Sequence, residues 1–151
     1  MERNLRIFKN YFFVLFLALL LTSCAGTYDR IADLDKPASY IAQSIMAAMP
    51  LGEAKMSKSK RKFKSKPFLL KGEYFVPVSN SRVQNRARVE ILGSRRPYSI
   101  YVEVHEYRKV QGQFVRSGKN MPAAKHLVRV IKYQLEKGLE DSNIIDDFRV
   151  F

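Results

Sequence analysis

Apolar residues along this chain follow two different spacings. Ile41, Ile45, Ala48 and Met49 recur every three or four residues, which is the spacing of one helix face. Pro37 suits a first helical turn, Asp35 is a nearby candidate cap, and Pro50-Leu51-Gly52 stops the segment. The pattern predicts a helix over residues 37–49. Ala124, Leu127, Val128, Ile131, Leu135 and Leu139 repeat the spacing, with Pro122 opening the segment and Gly138 a candidate C-cap. Lys125, Arg129 and Lys132 fall elsewhere on that second helix.

Between the helices the spacing changes to two. Ala87, Val89 and Ile91 alternate with Arg86, Arg88 and Glu90. Ile100, Val102 and Val104 alternate with Tyr101, Glu103, His105 and Tyr107. Gly93 to Pro97 joins the two runs as a turn. Gln111-Gly112 turns the chain into a short return strand, Gln113–Arg116. Phe68 to Val78 is rich in aromatic and branched residues, and Pro77 demotes its end to a sheet edge. Phe148 and Val150 alternate with Asp147 and Arg149, which predicts a last strand ending at Phe151. Such alternation suits antiparallel strands with one buried face. The expected fold class is α+β, a small antiparallel sheet of about four to five strands with two helices packed on one face.

Length allows one ordinary domain: the chain has 151 residues, 46% of them hydrophobic. A single cysteine excludes an internal disulfide framework and any zinc site built on several thiolates. Its place is informative. Arg3, Arg6 and Lys9 precede an unbroken apolar run, residues 11–21. As a helix that run spans about 16 Å, against a bilayer core of about 30 Å. A cationic start before a short apolar stretch is the pattern of an export signal.

Leu21-Thr22-Ser23-Cys24 then resembles the lipobox of bacterial lipoproteins: a branched apolar residue, two small residues and a cysteine. The resemblance covers residues 1–24 and no specific family is suggested for the rest. It implies a signal peptide over 1–23, palmitate or a similar acyl group on Cys24, and Cys24 as the mature N-terminus. No other cofactor is expected. Ala25 stands where an aspartate would imply retention in the inner membrane. By resemblance, the expected location is the outer membrane, lipid-anchored, on its periplasmic face. Residues 24–36 read as a lipidated tether, and 37–151 as a single periplasmic domain.

Charge adds a candidate surface. The chain carries 27 Lys+Arg against 14 Asp+Glu. Residues 55–132 hold 20 of the basic side chains and four acids. Within them, Lys55, Lys58, Lys60, Arg61, Lys62, Lys64 and Lys66 form a polybasic segment over 55–66 with no acid. Such a run repels itself and resists folding alone. Near a lipid anchor each cation is worth about 1 kcal/mol against a charged leaflet, so anionic lipid or lipopolysaccharide is one candidate ligand. A second candidate surface is the sheet face with Arg86, Arg88, Tyr101, His105 and Tyr107, residue types common in protein interfaces. A protein of the envelope is its expected partner. Lysines interleaved with Phe63 would suggest nucleic acid in a cytoplasmic protein; export makes that partner scarce.

Catalytic signals are thin. His105 shares a strand face with Glu103, and His126 lies in a helix, too far along the chain for metal-ligand spacing. No nucleophile elbow or phosphate loop is present. His105 and Glu103 read as a solvated surface pair, and the chain as no enzyme. The expectation is a non-enzymatic accessory or adaptor subunit of an envelope assembly. The alternative is a lipid- or lipopolysaccharide-binding protein.

Overall fold

In a computed structural model, residues 30–52 and 54–147 are described, with side chains through residue 137. The export segment, Cys24 and the strand expected at 148–150 lie outside the described residues. The described chain forms eight strands and two helices. In order they are β1 (Arg30–Leu34), α1 (Ala38–Ala48), β2 (Ala54–Met56), β3 (Lys62–Ser65), β4 (Phe68–Lys71), β5 (Tyr74–Pro77), β6 (Val83–Leu92), β7 (Tyr98–Val110), β8 (Gln113–Lys119) and α2 (Met121–Asp147). All strand pairs are antiparallel and join one sheet. The α+β class is as expected; the sheet has more strands than the four to five that the alternation revealed.

Strands β6 and β7 are the frame. They pair without interruption from Val83↔Arg108 to Leu92↔Ser99. Every other strand attaches at one end of this ladder or the other. β3 and then β2 extend it beside the C-terminal half of β6. β4 and then β5 extend it beside the N-terminal half. Pro67 has no N–H to give a ladder, so the chain leaves the sheet between β3 and β4. There the Ala87 amide donates instead to Ser65 Oγ, at 2.8 Å. On the other edge of β7, β1 pairs with its start and β8 with its end.

Alternation decides what each face meets. Ala87, Val89 and Ile91 of β6 and Ile100, Val102 and Val104 of β7 are buried with Phe63 and Phe68. Ile41, Ile45 and Ala48 of α1 and Ala124, Leu127, Val128, Ile131 and Leu135 of α2 complete that core. Both helices therefore lie on this inner face, α1 against β6 and α2 against β7. The Tyr40 hydroxyl donates to the Leu135 carbonyl at 2.8 Å and ties one helix to the other.

Several local expectations change. Asp35 caps nothing; α1 begins after Pro37 with no side-chain cap. α2 is capped by Asn120, whose Oδ1 accepts from the Ala123 amide at 3.0 Å while its Nδ2 donates to buried Asn85. Gly138 does not end α2, which continues to Asp147. The tether expected over 24–36 includes an edge strand, since Arg30–Leu34 is β1. The polybasic segment is ordered. It forms the β2–β3 hairpin, where Ser57 Oγ accepts from the Lys62 amide at 3.1 Å. It does not fold alone, because β3 is templated on β6 and buries Phe63 completely. Phe63 is therefore a core residue, not a base-stacking or lipid-facing one.

Phe63→Ala is expected to cost about 3–5 kcal/mol, the usual range for emptying a buried aromatic site. Lys58→Ala in the adjoining loop should stay within about 0.5 kcal/mol. Urea unfolding of the two variants measures both. Equal effects would mean that the run is not built into the core.

Candidate functional site

The opposite, outer face of the sheet is polar and basic. Period two puts Lys55 and Lys64 on it from the β2–β3 hairpin, and Arg86, Arg88 and Glu90 from β6. Tyr101, Glu103, His105 and Tyr107 come from β7, and Arg116 and Lys119 from β8. The register sets them in rows across the strands. One row reads Lys55↔Lys64, Lys64↔Arg88, Arg88↔Glu103. The next holds Arg86, His105 and Lys119, and a third Gln84, Tyr107 and Arg116. Directly opposite side chains stand about 4.5–5.5 Å apart at Cβ. Lys55, Lys64 and Arg88 are thus three like charges in succession.

Two carboxylates on this face are already committed. Glu90 holds Lys62 Nζ at 3.1 Å and Arg88 at 3.2 Å. Glu103 accepts from Tyr101 Oη, His105 Nε2 and Lys119 Nζ, each at 3.2 Å. Burial alone would raise the Glu103 carboxyl, but the hydrogen bonds from His105, Lys119 and Tyr101 and the attraction of His105 outweigh it. Its pKa falls below the usual 4.5. Lys119 is pushed the other way, above 10.5, chiefly by its bond to Glu103. Lys55, Lys64, Arg86 and Arg116 have no acidic partner among the described residues. The Arg86 guanidinium lies over the Tyr107 ring, 5.1 Å from its centroid.

These cations line a groove of about 1220 Å³. Lys55, Lys64, Lys66, Arg86, Arg88 and Arg116 surround it; Met46, Pro67 and Tyr107 add apolar surface; Glu103 and His105 also line it. The break between β3 and β4 opens the groove toward Met46 on α1.

The two sequence-derived residue sets meet here, each incompletely. Of the polybasic segment, Lys55, Lys64 and Lys66 line the groove, and Lys62 stands beside it on Glu90. Lys58 and Lys60 sit in the exposed hairpin loop. Arg61 turns away to the Gly93 carbonyl and the Tyr98 ring. Of the sheet-face set, Arg86, Arg88, His105 and Tyr107 line the groove. Tyr101 lies one row off and reaches Glu103. Arg116 and Lys119 were missed. Counting back from the Gln111-Gly112 turn would have found Arg116, because that register sets it opposite Tyr107.

The His105–Glu103 pair differs from the solvated contact expected. His105 is 8% exposed, flanked in register by the long side chains of Arg86 and Lys119. Nε2 is engaged by Glu103, and Nδ1 is buried without a partner. Among the described residues, no group of His, Cys, Asp and Glu large enough to hold a metal ion converges.

Glu103 contributes stability while it is ionised in the fold. Its lowered folded pKa means this contribution is complete above pH 4.5, the unfolded reference, and is lost as pH falls through the folded value. Glu103→Gln should therefore flatten the acid limb of a stability–pH curve below that pH. The remaining slope belongs partly to Glu106, which bonds to Arg108 and Ser117 also lower. Lys64→Gln should raise stability by about 0.2–1 kcal/mol by relieving opposition to Lys55 and Arg88. Denaturant midpoints measure both, and a destabilised Lys64→Gln would show that the row is not repulsive.

Compared with known proteins, the chain matches no family model, no curated protein and no solved structure.

Proposed function

We propose that this chain is a lipid-anchored protein of the bacterial envelope. It is held through Cys24 in the outer membrane, on the periplasmic face, and works as a non-enzymatic accessory subunit. Its basic sheet face contacts an anionic surface. The observation that carries this reading is the succession Lys55, Lys64, Arg88 across three strands, with the nearby acids already engaged. Like charges directly opposite cost stability, and an anionic ligand turns that cost into affinity. His105 Nε2, held by Glu103, and Nδ1, buried, support binding over catalysis. β8 supports a protein contact: all its residues are exposed and, among the described residues, it pairs only with β7.

The second reading, a lipid or lipopolysaccharide binder, is favoured by one observation. Met46, Pro67 and Tyr107 place apolar surface beside the cations.

In-cell photo-crosslinking distinguishes these. Probes would replace Tyr107 in the groove, Phe114 on β8 and Tyr133, an exposed residue of α2. The accessory reading expects one protein captured from Phe114 and none from Tyr133. Lipid or lipopolysaccharide captured from Tyr107, with no protein at Phe114, would replace it with the second reading. Capture at Tyr107 no different from Tyr133 would sink both.

A further inference from the structure

The groove and the start of the described chain lie close together. Arg30, the first residue of β1, is paired with Tyr101, and Tyr101 with Glu90. Arg30 is thus in the row beside that of Lys55, Lys64, Arg88 and Glu103. Two strand spacings, about 10 Å, and one two-residue step, about 7 Å, separate it from Arg88. Six residue-to-residue steps lead from Cys24 to Arg30, and extended they reach at most about 20 Å. A lipid on Cys24 therefore enters its membrane within reach of the basic rows.

We propose that the groove seats phosphate headgroups of the same leaflet that holds the Cys24 anchor, so that the domain lies with its outer sheet face against its own membrane. This deepens the envelope reading and rests on its lipid anchor. The charge fits: Lys55, Lys64, Arg86 and Arg116 present four cations without acidic partners among the described residues, on one face. The fork of a guanidinium matches a phosphate bidentately, and an ammonium adds a point charge. The geometry also fits, since the helices cover the inner face and leave the outer one open. Anchor and groove then act as two signals. The anchor supplies retention, stable where two or more chains are attached, and the groove supplies orientation. β8 would still stand at the sheet edge for a protein partner.

The test uses the full chain as processed by the cell, reconstituted into lipid nanodiscs. Lysine acetylation rates are read by mass spectrometry at Lys55, Lys64 and, as control on the helix side, Lys132. Three conditions are compared: phosphatidylcholine alone, phosphatidylcholine with phosphatidic acid, and phosphatidylcholine with inorganic phosphate in the buffer. With phosphatidic acid, Lys55 and Lys64 should label about fivefold more slowly, the factor for one cation against a charged leaflet. Lys132 should not change. Arg116→Gln, which removes an exposed strand cation, should return part of the lost labelling.

Three labelling outcomes overturn the proposal. Unslowed labelling at Lys55 and Lys64 does so directly. Equal slowing at Lys132 shows general crowding of the domain instead of a seated face. Equal slowing by inorganic phosphate assigns the groove to a soluble anion. The intact mass of the same sample reads the anchor separately. Lipid on Cys24 with unslowed labelling removes the headgroup seat and leaves the envelope reading standing; an unmodified Cys24 removes both.

Discussion

The uninterrupted ladder between β6 and β7 is the constraint on which the rest depends. Its strict two-residue period sends Ala87, Val89, Ile91, Ile100, Val102 and Val104 to the helices and the charged residues between them to the other side. A slip of one residue would drive Arg86, Arg88 and Glu90 into the helix layer. The penalty for burying such charges fixes the register. The remaining strands inherit their parity from this pair. β3 can place Phe63 inward only by placing Lys62 and Lys64 outward. The basic face is therefore a by-product of the core, built by the same periodicity.

Attachment at two ends of one ladder explains the shape of the site. Neither edge of the frame carries a single long neighbour. β3 and β4 share one side, β1 and β8 the other. The excursion through Lys66 and Pro67 breaks the face where the cations converge, and Ser65 Oγ accepts from the Ala87 amide there. Glu90 and Glu103 each gather several donors. Neutralisation is thus concentrated at two points, and the cations between and beyond them keep their charge.

How much of this the sequence discloses depends on strand length. β6 and β7 are long and alternate cleanly, so their existence, their pairing and their two faces are legible. β2 and β3 are not. In Lys55–Lys66, lysine dominates the composition, and the apolar clues are only Met56 and Phe63, the latter's inward direction being set by β6. Strand β1 is short and irregular, with Asp33 at φ 57° and a shifted register, which erases its period. The β4–β5 hairpin is hidden inside one apolar run, although Gly72, at φ 60°, marks its turn. The site divides in the same way. Arg86, Arg88 and Tyr107 can be placed on a face from local pattern, whereas the burial of His105 comes from neighbours on other strands. Local spacing carries no record of them.

The stacked cations also make the molecule an unusual electrolyte. Most folded surfaces lose a little stability as salt screens their attractive pairs. Here a row on the outer face sets Lys55 opposite Lys64 and Lys64 opposite Arg88, with only Arg88 held by an acid, Glu90. Its spacing is shorter than the screening length of about 8 Å at physiological ionic strength, so dilute buffer leaves the repulsion at full strength. Counter-ions then act on this sheet as a structural component: brine relieves this row where pure water does not, and the fixed phosphates of an anionic leaflet are such counter-charges in themselves.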